Sequence, residues 1–110
     1  MYMEITKISQ FEGKKIRKTI YNGEWWLSVV DIIEALTDTP NARIYWGVMK
    51  NRLEKDEKVE LYTICKQLKL EAQDGKMRET DCANPEGILR VIQSKKNYLK
   101  RVEYKKLLAD

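Results

Sequence analysis

Ile-Arg-Lys-Thr-Ile-Tyr-Asn-Gly-Glu-Trp-Trp-Leu-Ser-Val-Val-Asp-Ile-Ile-Glu-Ala-Leu-Thr-Asp-Thr-Pro-Asn-Ala-Arg-Ile-Tyr-Trp-Gly-Val-Met-Lys-Asn-Arg-Leu, residues 16–53, runs from a hairpin signal through two helix starts without filler. Alternation over Ile16, Lys18 and Ile20, then Asn22-Gly23, then Trp25 and Leu27 predicts a hairpin closed by a type I′ turn. A two-residue turn pairs Ile20 with Trp25 and Lys18 with Leu27. Side chains alternate across a strand, so Ile16, Ile20, Trp25 and Leu27 share the expected core face. Arg17, Thr19, Tyr21 and Trp26 fall on the other. A weaker alternation from Met3 to Ile8 predicts an edge strand.

Ser28 and Asp31 form a variant capping box that opens a helix. Its apolar stripe is Val29, Ile32, Ile33 and Leu36, which leaves Asp31 and Glu34 outward. Thr37-Asp38-Thr39 stops it. Thr39 is then the expected cap of a second helix with Pro40 at its first position, running to about Leu53. At 100° per residue, Ala42, Tyr45, Trp46, Met49 and Leu53 line one side. Arg43, Gly47, Lys50, Asn51 and Glu54 line the opposite side, with Ile44 and Val48 at the margin.

Downstream, 54–58 reads as a solvated loop and 59–66 as a short helix or turn. A second hairpin turns on Gln73-Asp74-Gly75, with the glycine in the left-handed position. That register sets Leu68, Leu70, Ala72, Thr80 and Cys82 on one face and Lys69 opposite Glu79. Asn84-Pro85-Glu86 starts a last core helix carrying Ile88, Leu89 and Ile92. The expected fold is therefore α+β. It is a small single domain of two β-hairpins packed against three or four helices, including a helix-turn-helix-like pair. Residues 1–94 form the domain, and 95–110 a basic C-terminal helix or tail.

The whole chain has 110 residues and a formal net charge of +4, unevenly placed. Residues 1–20 carry five basic and two acidic side chains, residues 95–110 six and two, and the middle ten against thirteen. Within 41–55 the balance reverses to four basic and one acidic. Basic ends favour polyanions, while the acidic centre rules out a uniformly basic surface.

The chain contains no histidine and two cysteines, Cys65 and Cys82. That removes the commonest general base and leaves too few ligands for a structural zinc site. Two buried thiols are the expectation. No glycine-rich phosphate loop or nucleophile elbow is present, so no enzymatic activity and no cofactor are expected. No apolar run reaches the roughly 20 residues of a membrane span, and cytoplasmic residence is the default expectation.

Three groups of residues point to polyanion binding. Arg43, Lys50, Asn51 and Arg52 sit on the second helix, and the turn before it matches helix-turn-helix spacing. Arg reads guanine and Asn reads adenine by paired hydrogen bonds. Lys76 and Arg78 on the second hairpin could act as a wing on phosphates. Trp26, outward by parity beside Arg17, could stack on a base or pack beneath a terminal segment.

With these residues in view, the chain resembles the Bro-N family. This is the N-terminal domain of prophage antirepressors, baculoviral Bro proteins and DNA-damage-inducible protein D-like proteins. The likeness rests on residues 16–28, 29–36 and 41–53 as quoted. It extends to Leu-Lys-Leu-Glu-Ala-Gln-Asp-Gly-Lys-Met-Arg-Glu-Thr-Asp-Cys-Ala-Asn (68–84) and Gly-Ile-Leu-Arg-Val-Ile-Gln-Ser (87–94). The resemblance implies an α+β domain that binds DNA, single- or double-stranded, in phage regulation or the damage response. It implies neither cofactor nor catalytic residues. The chain departs after Gln93-Ser94, where relatives continue with a Pro-rich segment and a Phe-Lys-x-Trp-Leu type helix. Besides DNA, a repressor protein and a second copy of the chain stand as alternative partners.

Overall fold

The computed structural model describes residues 6–94 apart from Glu12, Asp38 and Thr39. The predicted tail, 95–110, and the predicted Thr39 cap lie outside the described residues. Strands β1 (Lys7–Phe11), β2 (Lys14–Tyr21), β3 (Glu24–Ser28), β4 (Cys65–Glu71) and β5 (Met77–Ala83) form one antiparallel sheet in the order β1-β2-β3-β5-β4. Helices α1 (Val29–Thr37) and α2 (Ala42–Lys55) lie between β3 and β4 in sequence. Residues 85–94 are helical (α3), and Leu61–Thr63 makes one 3-10 turn.

The first hairpin has the expected register, with Ile20 opposite Trp25 and Lys18 opposite Leu27. Asn22 and Gly23 both take positive φ, 50° and 78°, as a type I′ turn requires. An edge strand forms over Lys7–Phe11; of the predicted Met3–Ile8, residues 3–5 lie outside the described residues and Thr6 is not in the strand. In the second hairpin Lys69 faces Glu79 and Leu68 faces Thr80. Gly75, at φ 82°, closes the three-residue loop between Ala72 and Lys76.

The two hairpins meet through only two pairs, Leu27 with Ala83 and Ser28 with Cys82. Packing on both faces supplements this short seam. On one face Ile16, Leu27 and Ala83 join Val29, Ile32, Ile33, Ala42, Trp46, Met49, Leu53, Ile88 and Val91 in the main core. On the other, Leu68, Leu70 and Cys82 pack with Tyr21 and Trp26.

Several expectations are corrected. Ile20 shares the helix-side face but remains 54% exposed, because the turn end of the hairpin extends past the helices. Helix α2 begins at Ala42, not Pro40. Its N-cap is Asn41, whose φ and ψ of −114° and 46° are not helical and which makes no side-chain capping bond. Asn84 does cap α3, accepting from the Gly87 N–H at 2.9 Å, but Leu89 is 67% exposed while Val91 is buried. Ile88 and Val91, three residues apart, share the core side with Ile92, which leaves Leu89 on the outer side.

Gly87 lies where α3 crosses Ile64. A Cβ there would collide with the Ile64 carbonyl and press on Ala83. Gly87→Ala is therefore expected to lose about 1–3 kcal/mol of stability in a urea titration, despite alanine's better helix propensity.

Candidate nucleic-acid interface

Helix α2 is amphipathic because its apolar residues recur every three or four positions. Ala42, Trp46, Met49 and Leu53 are buried, anchoring it to the sheet and to α1. The outer side carries Arg43, Gly47 and Asn51 in one exposed row, four residues apart. Beside it, Ile44 and Val48 are 68% and 46% exposed. Among the described residues, and apart from its chain neighbours and the helix's own backbone, no atom lies within 4 Å of where a Gly47 side chain would start, so another molecule can approach the backbone there.

Asp81 sets the position of this helix. It projects from β5 and accepts hydrogen bonds from the Trp46 indole N–H at 2.8 Å and the Lys50 ammonium at 3.0 Å. Gln67 donates to its other oxygen at 3.4 Å. Burial by itself would raise the Asp81 pKa, but the bonds from Trp46 and Lys50 outweigh it and hold the carboxyl below its ordinary value. Sequence reading missed this residue, although the signal was present. With Thr80 and Cys82 assigned to one face, parity set Asp81 on the other, and that is as far as the signal went: the sequence did not say that α2 covers it.

The proposed contact residues are not gathered into one surface. Arg43 and Asn51 are exposed on α2, and Lys76 is exposed on the β4–β5 hairpin; none has an ion pair among the described residues. Lys50 lies beside that row but is held by Asp81. Arg52 is on a different flank, its side chain 13% exposed and 3.8 Å from Asp56. Arg78 pairs with Asp74, which lowers the Asp74 pKa.

Arg17 and Trp26 have internal roles. The Arg17 guanidinium bonds both oxygens of Asp31, at 2.8 and 3.0 Å, and reaches the Glu71 carbonyl at 3.1 Å. The hydrogen bond to Asp31 raises the Arg17 pKa. Asp31 is thus half-buried in an ion pair rather than outward. Trp26 meets Tyr21 edge-on at 6.2 Å and packs on the second apolar cluster. Its indole N–H is buried and has no hydrogen-bond partner among the described residues.

Neither thiol is poised for chemistry. Burial pushes Cys65 up to about 11 and Cys82 up to about 12, so both are protonated at neutral pH. Alternation places them on opposite faces of the sheet, and both are free. Among the described residues no cluster of three His, Cys, Asp or Glu side chains could hold a metal ion, and no helix is long and apolar enough to cross a membrane.

A family model described as the BRO family, N-terminal domain, matches residues 15–109. No curated protein and no solved structure matches the chain.

Two substitutions test this geometry. Asp81→Asn removes the charge that Lys50 and Trp46 use and is expected to cost about 1–2 kcal/mol at neutral pH. The native carboxyl has a lowered pKa, so its contribution is present above the unfolded-state pKa and is lost as pH falls through the folded value. The stability gap between wild type and Asp81→Asn should accordingly close in acid, as followed by urea titrations at several pH values. Trp26→Phe keeps the ring packing and deletes a buried N–H, so its denaturation midpoint should stay within about 1 kcal/mol of wild type.

Proposed function

The chain belongs to the BRO family, N-terminal domain, and from that membership we propose that it is a DNA-binding regulatory domain of the prophage antirepressor and damage-response type. It acts by binding alone, without catalysis or cofactor, as a cytoplasmic protein. The observation that carries this reading is the exposed row Arg43–Gly47–Asn51 on an α2 whose opposite side is anchored in the core. The row spans roughly 12 Å of helix axis. It puts a guanine-reading and an adenine-reading side chain on either side of a residue that offers no steric barrier. Ile44 and Val48 supply apolar contacts suited to thymine methyl groups.

Lys50 and Arg78 contribute less than their charges suggest, since Asp81 and Asp74 already partner them. Lys76 at the hairpin tip adds a phosphate contact. Arg17 and Trp26 support the interface from within by holding the hairpins that carry it.

A second reading follows from the apolar exposure of Ile44 and Val48 one turn apart. In it the same helix face receives a repressor protein, and Ile44 and Val48 are the anchors. The two readings separate by substitution. Band-shift titrations over a salt series should show Arg43→Ala plus Asn51→Ala weakening duplex binding roughly tenfold or more. Unchanged affinity in that variant would overturn the DNA reading. Loss of repressor capture in Ile44→Ser plus Val48→Ser, with duplex binding intact, would establish the alternative.

A further inference from the structure

The sequence from Lys7 to Tyr21, which contains β1, β2 and the turn between them, carries five basic side chains, Lys7, Lys14, Lys15, Arg17 and Lys18, against one acidic, Glu12. Two of them face each other. In the β1–β2 register Lys7 lies directly opposite Lys18, on the same side of the sheet as Ile20 and Trp25. Like charges opposed across an antiparallel pair repel, with Cβ atoms only about 4.5–5.5 Å apart.

Four of the described cations are each paired with a carboxylate. Arg17 has Asp31, Lys50 has Asp81, Arg52 has Asp56 and Arg78 has Asp74. Neither Lys7 nor Lys18 has such a partner among the described residues. The carboxylate of the neighbouring strand, Glu24, stands opposite Tyr21 on the other face and accepts from Asn84 at 3.1 Å. Lys18 is also held in place, its ammonium 4.2 Å from the centre of the Trp25 ring. Ile20 lies beside it, 54% exposed.

We infer that this end of the sheet is a second anion site, in which Lys7 and Lys18 together hold one backbone phosphate of a nucleic acid beside Trp25 and Ile20. The inference rests on the reading that the domain binds nucleic acid, but it uses a different surface from α2. Two lysines rooted at cross-strand spacing have side chains long enough to reach one phosphodiester together, and the bound anion removes their mutual repulsion. Trp25 lies on β3, across β2 from Lys7, so the Lys18 ammonium leaves its ring to meet the phosphate and the indole N–H reports that move.

The test is an NMR titration of the full chain with a short thymidine oligonucleotide, with inorganic phosphate and an acidic peptide as separate arms. Expected are chemical-shift changes at the Lys7 and Lys18 amides and the Trp25 indole N–H, absent in Lys7→Gln plus Lys18→Gln and retained in Arg43→Ala plus Asn51→Ala. In parallel duplex titrations the lysine double variant should lower the log–log salt slope by about one. Oligonucleotide shifts confined to α2, no shifts at all, or larger shifts with the acidic peptide would each overturn the site. Loss of the α2 shifts alone would count against the helix reading and leave this site standing.

Discussion

Two hairpins joined by a two-residue seam would hinge freely if the ladder alone connected them. Leu27 with Ala83 and Ser28 with Cys82 are too few pairs to fix the angle between them. Two polar clasps on opposite faces complete the joint. Arg17 links β2 to the first turn of α1 and to the end of β4. Asp81 links β5 to the middle of α2. Each clasp spans parts of the chain that the ladder leaves apart, and each is half-buried, where charged hydrogen bonds are strongest.

The same clasps reshape the electrostatics. A count of formal charges along 41–55 suggests a cationic ridge, yet Asp81 and Asp56, both outside that run, neutralise two of its members. What the middle of α2 offers outward is narrower: one guanidinium, one amide, one gap and two aliphatic side chains, with Glu54 and Lys55 of opposite charge at its end. Such a surface suits selective contact better than indiscriminate attraction, because its hydrogen-bonding groups are few and its charge is low.

Much of the fold was legible because its determinants are local. Asn22-Gly23, Gly75 and the Asn84 cap each act within four residues, and hairpin parity follows from turn length alone. The helix stripes were legible for the same reason, apart from Leu89, which is exposed, and Val91, which is buried in its place. The clasps were not. Arg17 meets Asp31 across 14 positions, and Trp46 meets Asp81 across 35. Periodicity assigned Asp31 outward because it cannot see an arginine arriving from a neighbouring strand. Within the candidate site, Arg43 and Asn51 stand where helical phase put them, whereas the surroundings of Lys50, Arg52 and Arg78 depended on such distant carboxylates or on loop geometry.

Histidine and cysteine are the side chains that ordinarily change charge near neutral pH. This chain lacks the first, and burial carries both thiols far above that range. Neither residue type can therefore act as a proton sensor here. A modest drift in pH around neutrality changes the charge of neither residue type in this chain.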